Sequence, residues 1–267
     1  MVRLFILLGA LLFSAPAFAQ HAGVPVSYRD HGVELEGYLA RPPISTGQTP
    51  TILLVHTWMG LNDEMRQRAD QLAVQGYQVF AVDIYGKNIR PKNQKEAAEL
   101  ATHYKDDPQL MRSRMLAAYD YAREYLEAQP KRMAAIGFCF GGGAALEALR
   151  GGIPLAGVVT FHGTLATSMP AAAHGIKSKI LVLHGADDPY VPQSDVQAFM
   201  DEMKKAGADV QVTLYSGTVH SFTNQDAGDN PASGAAYNPK NARRAFQAMQ
   251  NFFTELFQPA VWENGMK

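Results

Sequence analysis

Apolar positions along the chain follow two kinds of pattern. Residues 24–28 and 33–39 alternate with a period close to two around Asp30-His31-Gly32, which predicts an opening β-hairpin. Residues 51–56 (TILLVH) and 78–83 (QVFAVD) are instead continuous apolar runs of strand length, the mark of strands covered on both faces. Between them Asn62 can cap a helix whose Met65, Ala69, Leu72 and Ala73 share one face, and Gly76 can end it. Strand, helix, strand at this spacing is a βαβ unit, which demands a parallel pair and a right-handed crossover.

The pattern then repeats with one insertion. Residues 84–131 hold a polar loop over 85–92 and two helical stretches separated by Asp106-Asp107-Pro108. Residues 132–137 read as a strand, 144–149 as part of a helix, and 155–161 and 179–184 as two further strands. A helix over 192–206 is stopped by Gly207, 210–215 is the last strand, and 240–257 is an amphipathic closing helix. No linker, repeat or low-complexity tract divides this run. The expected fold is one α/β domain with a mostly parallel, doubly wound sheet, whose ligand sits beyond the carboxyl ends of the strands.

Residues 1–19 stand apart from that domain. Arg3, the apolar run over 4–13 and the small-x-small triplet Ala17-Phe18-Ala19 are the three parts of a secretory signal peptide. Cleavage is expected after Ala19, leaving residues 20–267 as a periplasmic or secreted domain. The apolar run covers only about half of the roughly 20 residues needed to cross a bilayer, and no later segment is apolar for long enough to span, so no membrane association is expected after cleavage. With 47% hydrophobic and 18% charged residues the chain can bury a full core, which excludes disorder. A formal charge of −1 argues against a nucleic-acid surface. Cys139 is the one cysteine of the sequence, which excludes an intramolecular disulfide and leaves a thiol to be explained.

Gly137-Phe138-Cys139-Phe140-Gly141 follows a predicted strand and precedes a predicted helix, the setting of the G-x-S-x-G nucleophile elbow with sulfur in place of hydroxyl. The turn would lift the thiol above the sheet at the positive end of the next helix, where a helix terminus and a histidine cation favour thiolate. The strand ending at His184 runs into Asp187-Asp188-Pro189-Tyr190-Val191-Pro192, and the last strand into Thr218-Val219-His220-Ser221-Phe222. Nucleophile, acid, histidine is the chain order of α/β-hydrolases. His220 would take and return the proton while an aspartate fixes its tautomer.

GFCFGG at 137–142, DDPYVP at 187–192 and HSF at 220–222 resemble the dienelactone hydrolase family of α/β-hydrolases over nearly the whole domain. The resemblance implies an ester or lactone hydrolase working through Cys139, Asp188 and His220 without a cofactor, with Asp188 favoured over Asp187. It also implies an oxyanion hole made by the backbone N–H of Phe140 and of Trp58. The substrate is expected to be a small-molecule ester or lactone, and the chain a monomer or weak homodimer. Thr57 aligns with a family glutamate that switches the cysteine between thiol and thiolate, so activation here should rest on His220 and the helix terminus. Lys87 and Asn224 align with two family arginines that hold a substrate carboxylate; together with Thr57 and Tyr85 they are candidates for lining the pocket. Loss of bidentate geometry at Lys87 and of charge at Asn224 points to a smaller or uncharged substrate. The polar loop over 224–238 is expected to border the site. Alternatives are a thioesterase, a peptidase, or an idle binding protein that keeps the elbow as a pocket. His56, His162 and His184 fall at predicted strand ends and His220 could add a fourth ligand, but two of the three lie in His-Gly turns and no H-x-x-x-H pair is present, so no metal is expected.

Overall fold

The computed structural model describes residues 22–258; the expected signal segment over 1–19 lies outside them. Eight strands form one sheet in the order β1-β2-β4-β3-β5-β6-β7-β8. β1 (Val24–Asp30) and β2 (Val33–Ala40) form the expected hairpin, with Asp30 opposite Val33. His31 and Gly32 between them both have positive φ, 44° and 87°, as a two-residue turn matched to strand twist requires. β2 also pairs antiparallel with β4 (Gln78–Val82); every later pairing is parallel.

Crossover helices cover both faces. β3 (Thr51–Val55) shows why its sequence is continuously apolar: Ile52 and Leu54 pack into one core, Leu53 and Val55 into the other. The first core is closed by α1 (Asp63–Val74), which buries Met65, Ala69, Leu72 and Ala73, and by α6 (Pro239–Phe257) through Met249, Phe252 and Phe253. Asn62 caps α1 by accepting from the Met65 amide at 3.2 Å, and Gly76, at φ 100°, turns the chain away from its end.

The opposite core lies under α2 (Gln94–Asp106), α3 (Pro108–Tyr125), α4 (Phe140–Arg150) and α5 (Gln193–Ala206). Asp107 separates α2 from α3 by capping the Leu110 amide, with Pro108 in the first turn. A buried ion network ties three of these helices together. Arg150 of α4 bonds Glu147 at 3.0 Å and Glu202 of α5 at 2.7 Å, and Glu147 also accepts from Arg112 of α3 at 2.8 Å.

The remaining strands are β5 (Met133–Phe138), β6 (Gly157–Phe161), β7 (Lys179–Gly185) and β8 (Asp209–Tyr215). β8 is an edge strand and only partly buried, unlike the apolar runs at the sheet centre. α4 starts four residues before the predicted 144–149 stretch, because the elbow glycines are themselves helical.

Candidate active site

The six parallel strands β3 to β8 send their carboxyl ends to the same edge of the sheet. Loops leaving that edge carry His56 to Gly60, Cys139, His162, Asp188 and His220. Cys139 is the N-cap of α4 and sits at φ 53°, ψ −118°, a conformation rare for a residue with a side chain. Its amide donates to Phe161 O at 3.0 Å, which fixes the strained turn against β6.

The flanking glycines are required by contact. A Cβ on Gly137 would meet Gly141 O at 2.0 Å, and one on Gly142 would meet Thr160 Oγ1 at 2.1 Å. A Cβ on Gly141 would lie 2.4 Å from both Val55 O and His56 O, so this glycine lets α4 rest directly on the end of β3.

His220 stands between the acid and the thiol. Its Nδ1 is 2.7 Å from Asp188 Oδ2 and its Nε2 is 3.1 Å from Cys139 Sγ. The other oxygen of Asp188 accepts from the Tyr190 and Val191 amides at 2.9 and 3.2 Å, so the carboxylate is oriented from behind. Asp188 is buried, whereas neighbouring Asp187 is exposed and contributes its amide to Thr218 O. Burial disfavours a charged His220, but the hydrogen bonds to Asp188 and Cys139 and the charges of both outweigh it, and the imidazole pKa is pushed up to about 10. Ser221, at φ 55°, turns the chain immediately after the histidine.

The loop after β3 is held by two rings. His56 Nε2 accepts from the Ile84 amide at 3.2 Å, which makes Nδ1 the protonated nitrogen, and that N–H donates to Thr57 O at 2.6 Å. The Tyr85 hydroxyl donates to Trp58 O at 2.9 Å. Both carbonyls are thereby drawn back into the protein. The Trp58 amide makes no hydrogen bond among the described residues, and Phe140, at the first position of α4, has no helical acceptor for its own.

Above Cys139 lies a cleft of about 60 Å³, lined by Thr57, Trp58, Met59, Cys139 and Asn224 among others. Two of the four pocket candidates therefore line it, and two do not. Tyr85 is buried beneath the loop against His56 and Phe140, where it supports Trp58 instead of facing the cleft. Lys87 is drawn towards β2 by a 2.6 Å ion pair with Glu34 and is likewise absent from the lining. Its pairing partner belongs to the hairpin, an element whose position relative to residue 87 no local pattern reveals.

The loop over 224–238 borders the site at Asn224. It is pinned by a bridge between His220 and Ala235 and by the Asn238 amide donating to Phe222 O at 3.0 Å. The cleft also contains Glu64, Arg68 and Thr223, which no sequence motif singles out, and His162, which the sequence offered only as a metal-ligand candidate. Glu64 and Arg68 carry one available signal: opposite charges one helical turn apart at the N-terminal end of α1, whose apolar face packs on the sheet. His162 lies edge-on to His220 at 5.1 Å between ring centres and bonds Thr223 Oγ1 at 2.9 Å. Burial first, then the His220 charge, hold it well below the usual imidazole pKa.

The remaining candidate ligands are dispersed. His184 bonds Val191 O at 2.9 Å through Nε2, and His56 is enclosed by Tyr85 and Phe140. Among the described residues, no three His, Cys, Asp or Glu side chains are grouped to hold a metal ion.

A cysteine on a strained elbow, a histidine in reach of its sulfur and an aspartate behind that histidine can pass one proton between sulfur and imidazole. Known proteins of similar sequence and fold point to one family. A chain of Aquifex aeolicus that carries the provisional name carboxymethylenebutenolidase is 29% identical over 86% of this chain and 97% of its own length. The solved structure of a dienelactone hydrolase-like promiscuous phosphotriesterase from metagenomic libraries is 36% identical, with a TM-score of 0.81 over 88% of this chain and 98% of that one. An esterase of Thermogutta terrifontis shares the fold at 19% identity, with a TM-score of 0.64 over 90% and 95% of the two chains. The dienelactone hydrolase family profile itself matches residues 35–257, from the hairpin to the end of α6, and on that match this chain is a hydrolase of the α/β-hydrolase fold that belongs to the dienelactone hydrolase family.

Proposed function

We propose that the protein is an exported hydrolase of small, uncharged carboxylic esters or lactones, working through Cys139, His220 and Asp188. The observation that carries this reading is His220 lying 2.7 Å from Asp188 and 3.1 Å from Cys139 at the mouth of a cleft. With its pKa pushed up to about 10, His220 is ready to hold a proton as an imidazolium paired with Asp188, and its Nε2 faces the sulfur at 3.1 Å to take the thiol proton. The thiolate attacks the ester carbon, and the carbonyl electron pair moves onto oxygen, where the Phe140 and Trp58 amides receive it. Collapse of the tetrahedral adduct expels the alcohol oxygen, which takes the Nε2 proton of His220, and leaves an acyl-thioester on Cys139.

Acylation changes the histidine. A thioester sulfur carries no charge, so one of the forces raising the His220 pKa disappears and the neutral ring becomes the base for hydrolysis. It takes a proton from water, the hydroxide oxygen bonds to the acyl carbon, and the thiolate leaves with the imidazolium restored beside it. Asp188 stabilises the imidazolium at both stages.

Several residues shape the substrate class. Lys87 is engaged by Glu34, and Asn224 is neutral, so neither offers the cleft a free cation for a substrate carboxylate. A space of about 60 Å³ beside the sulfur suits a short acyl group. The apolar run over 4–13 and the Ala17-Phe18-Ala19 triplet support export and a periplasmic or secreted location. No helix among the described residues is long and apolar enough to cross a membrane.

The test compares the protein with its Cys139→Ala variant on aryl acetates, small lactones, acyl-thioesters and, because the metagenomic relative is described as a phosphotriesterase, one aryl phosphotriester. Activity on esters or lactones that the variant lacks, with an acyl adduct detected on Cys139 by mass spectrometry, is the expected result. Equal background rates for both proteins across the panel would instead leave an idle binding protein.

A further inference from the structure

The cleft over Cys139 is small, but a much larger space lies directly behind it. Between α1 and α6, on the face of the sheet that these helices cover, runs a groove of about 520 Å³. Its floor is apolar, made by Ile136, Leu72, Phe246 and Met249, and its upper walls carry the amides of Gln67, Gln71 and Gln250. Five residues line both spaces: Glu64, Arg68, Phe138, Thr223 and Asn224. They form a partition between the site of chemistry and a groove of small-molecule size, with an apolar floor and polar walls that also carry Asp226 and Arg243.

Arg68 is the bar of that partition. It starts on α1, and its Nη2 donates across to Thr223 O at 3.1 Å, on the segment that carries His220. Nη2 and Nε both donate to Glu64 Oε1, at 2.9 and 3.2 Å. Its guanidinium lies 4.6 Å from the centre of the Phe138 ring and 5.8 Å from that of Phe246, one ring on the β5 side and one on α6. The side chain is thus fixed at both ends and stacked in the middle, which distinguishes it from a surface arginine free to swing aside.

We propose that Arg68 is the specificity-determining residue of this hydrolase: by closing the cleft against the groove, it restricts the ester to short arms. This rests on the reading of the site as an ester hydrolase. With the bar removed, the acyl or the alcohol arm of a longer ester would run from Cys139 into the groove. There Phe138, Phe246 and Met249 would take it out of water, and discrimination per added methylene in such a pocket is substantial.

The experiment measures kcat/KM for two ester series, p-nitrophenyl esters from acetate to octanoate and alkyl acetates from ethyl to octyl. The protein is compared with Arg68→Ala/Glu64→Gln, in which no carboxylate is stranded, and with the same variant carrying Gln71→Trp to refill the groove. The native protein should lose activity steeply with chain length. The open variant should raise the long-to-short ratio at least about tenfold in one series, and the added tryptophan should reverse that gain. Arg68→Lys, which is shorter and lacks the fork that reaches Glu64 and Thr223 together, should give a smaller change in the same direction if the double variant does not fold.

An unchanged ratio in both series, with acetate hydrolysis retained, would overturn the proposal. So would native hydrolysis of octanoate as fast as acetate. Failure of the underlying hydrolase reading looks different: acetate hydrolysis would then not depend on Cys139 at all.

Discussion

At the scale of single residues, the proposed chemistry rests on one proton passed between His220 and Cys139, 3.1 Å apart. Asp188 is buried behind the ring while Asp187 is exposed, so the two neighbouring carboxylates make unequal predictions. Asp188→Asn should lower kcat by roughly 10³ to 10⁴, because the amide disturbs the histidine tautomer and removes the charge that stabilises imidazolium. Asp187→Asn should leave kcat within about twofold, since its role is carried by the backbone. Steady-state kinetics on an aryl acetate decides between them, and a larger loss at Asp187 would reverse the assignment. The thiol makes a second prediction. Alkylation by iodoacetamide at neutral pH should be about tenfold faster in the native protein than in His220→Gln, which lacks the ring that takes the thiol proton. Equal rates in the two proteins would show that His220 does not activate the sulfur.

At the scale of elements, the catalytic geometry depends on how loops are tied to the sheet. The Tyr85 hydroxyl holds Trp58 O, and its ring packs against Phe140, whose amide is the second proposed oxyanion donor. Tyr85→Phe should lower kcat about tenfold with little change in KM. Its cost in stability should be only about 1 kcal/mol, because the hydroxyl makes one neutral hydrogen bond. Paired kinetics and thermal melts would separate these effects. The helices behind the elbow depend on Arg150, which is fully buried between Glu147 and Glu202. Arg150→Ala should cost about 3–5 kcal/mol by leaving Glu202 without its cation and Glu147 with Arg112 alone, measurable by urea unfolding. Much of this scale was legible in the sequence. Asn62, Gly76 and the face of α1 follow from capping and a 3.6-residue period, and the elbow follows from glycines that only close backbone contact explains. Tyr85, Lys87 and Arg68 were not legible in their true roles. Each is defined by a partner on a distant element, Trp58 O, Glu34 and Thr223 O respectively, and local pattern carries no information about such pairings.

At the scale of the whole molecule, the order of strands places six strand ends on one edge, and that convergence buries histidines of opposite electrostatic character. The βαβ pattern predicted parallel pairing, but not that β3 would lie between β4 and β5, which is what sets the loop carrying Trp58 beside the elbow. Burial drives the pKa of His56 down to about 4, that of His162 well below the usual value, and that of His184 down in the same direction. His220 is shifted the other way, to about 10. The signs are opposite for stability. The three neutral histidines take up protons on unfolding once the pH falls below about 6.5, so their burial costs stability increasingly on the acid side. The His220 contribution is fully present below about 6.5 and is lost as pH rises towards 10. Stability should therefore be greatest near neutrality and fall on both sides, for different residues. His184→Gln, which can still donate to Val191 O, should make the acid decline of the melting temperature shallower and leave the alkaline one unchanged. Cys139→Ala removes one of the interactions that raise the His220 pKa, so it should start the alkaline decline at lower pH and leave the acid one unchanged. If both variants moved the same limb, the division of these histidines into buried-neutral and ion-paired groups would be wrong.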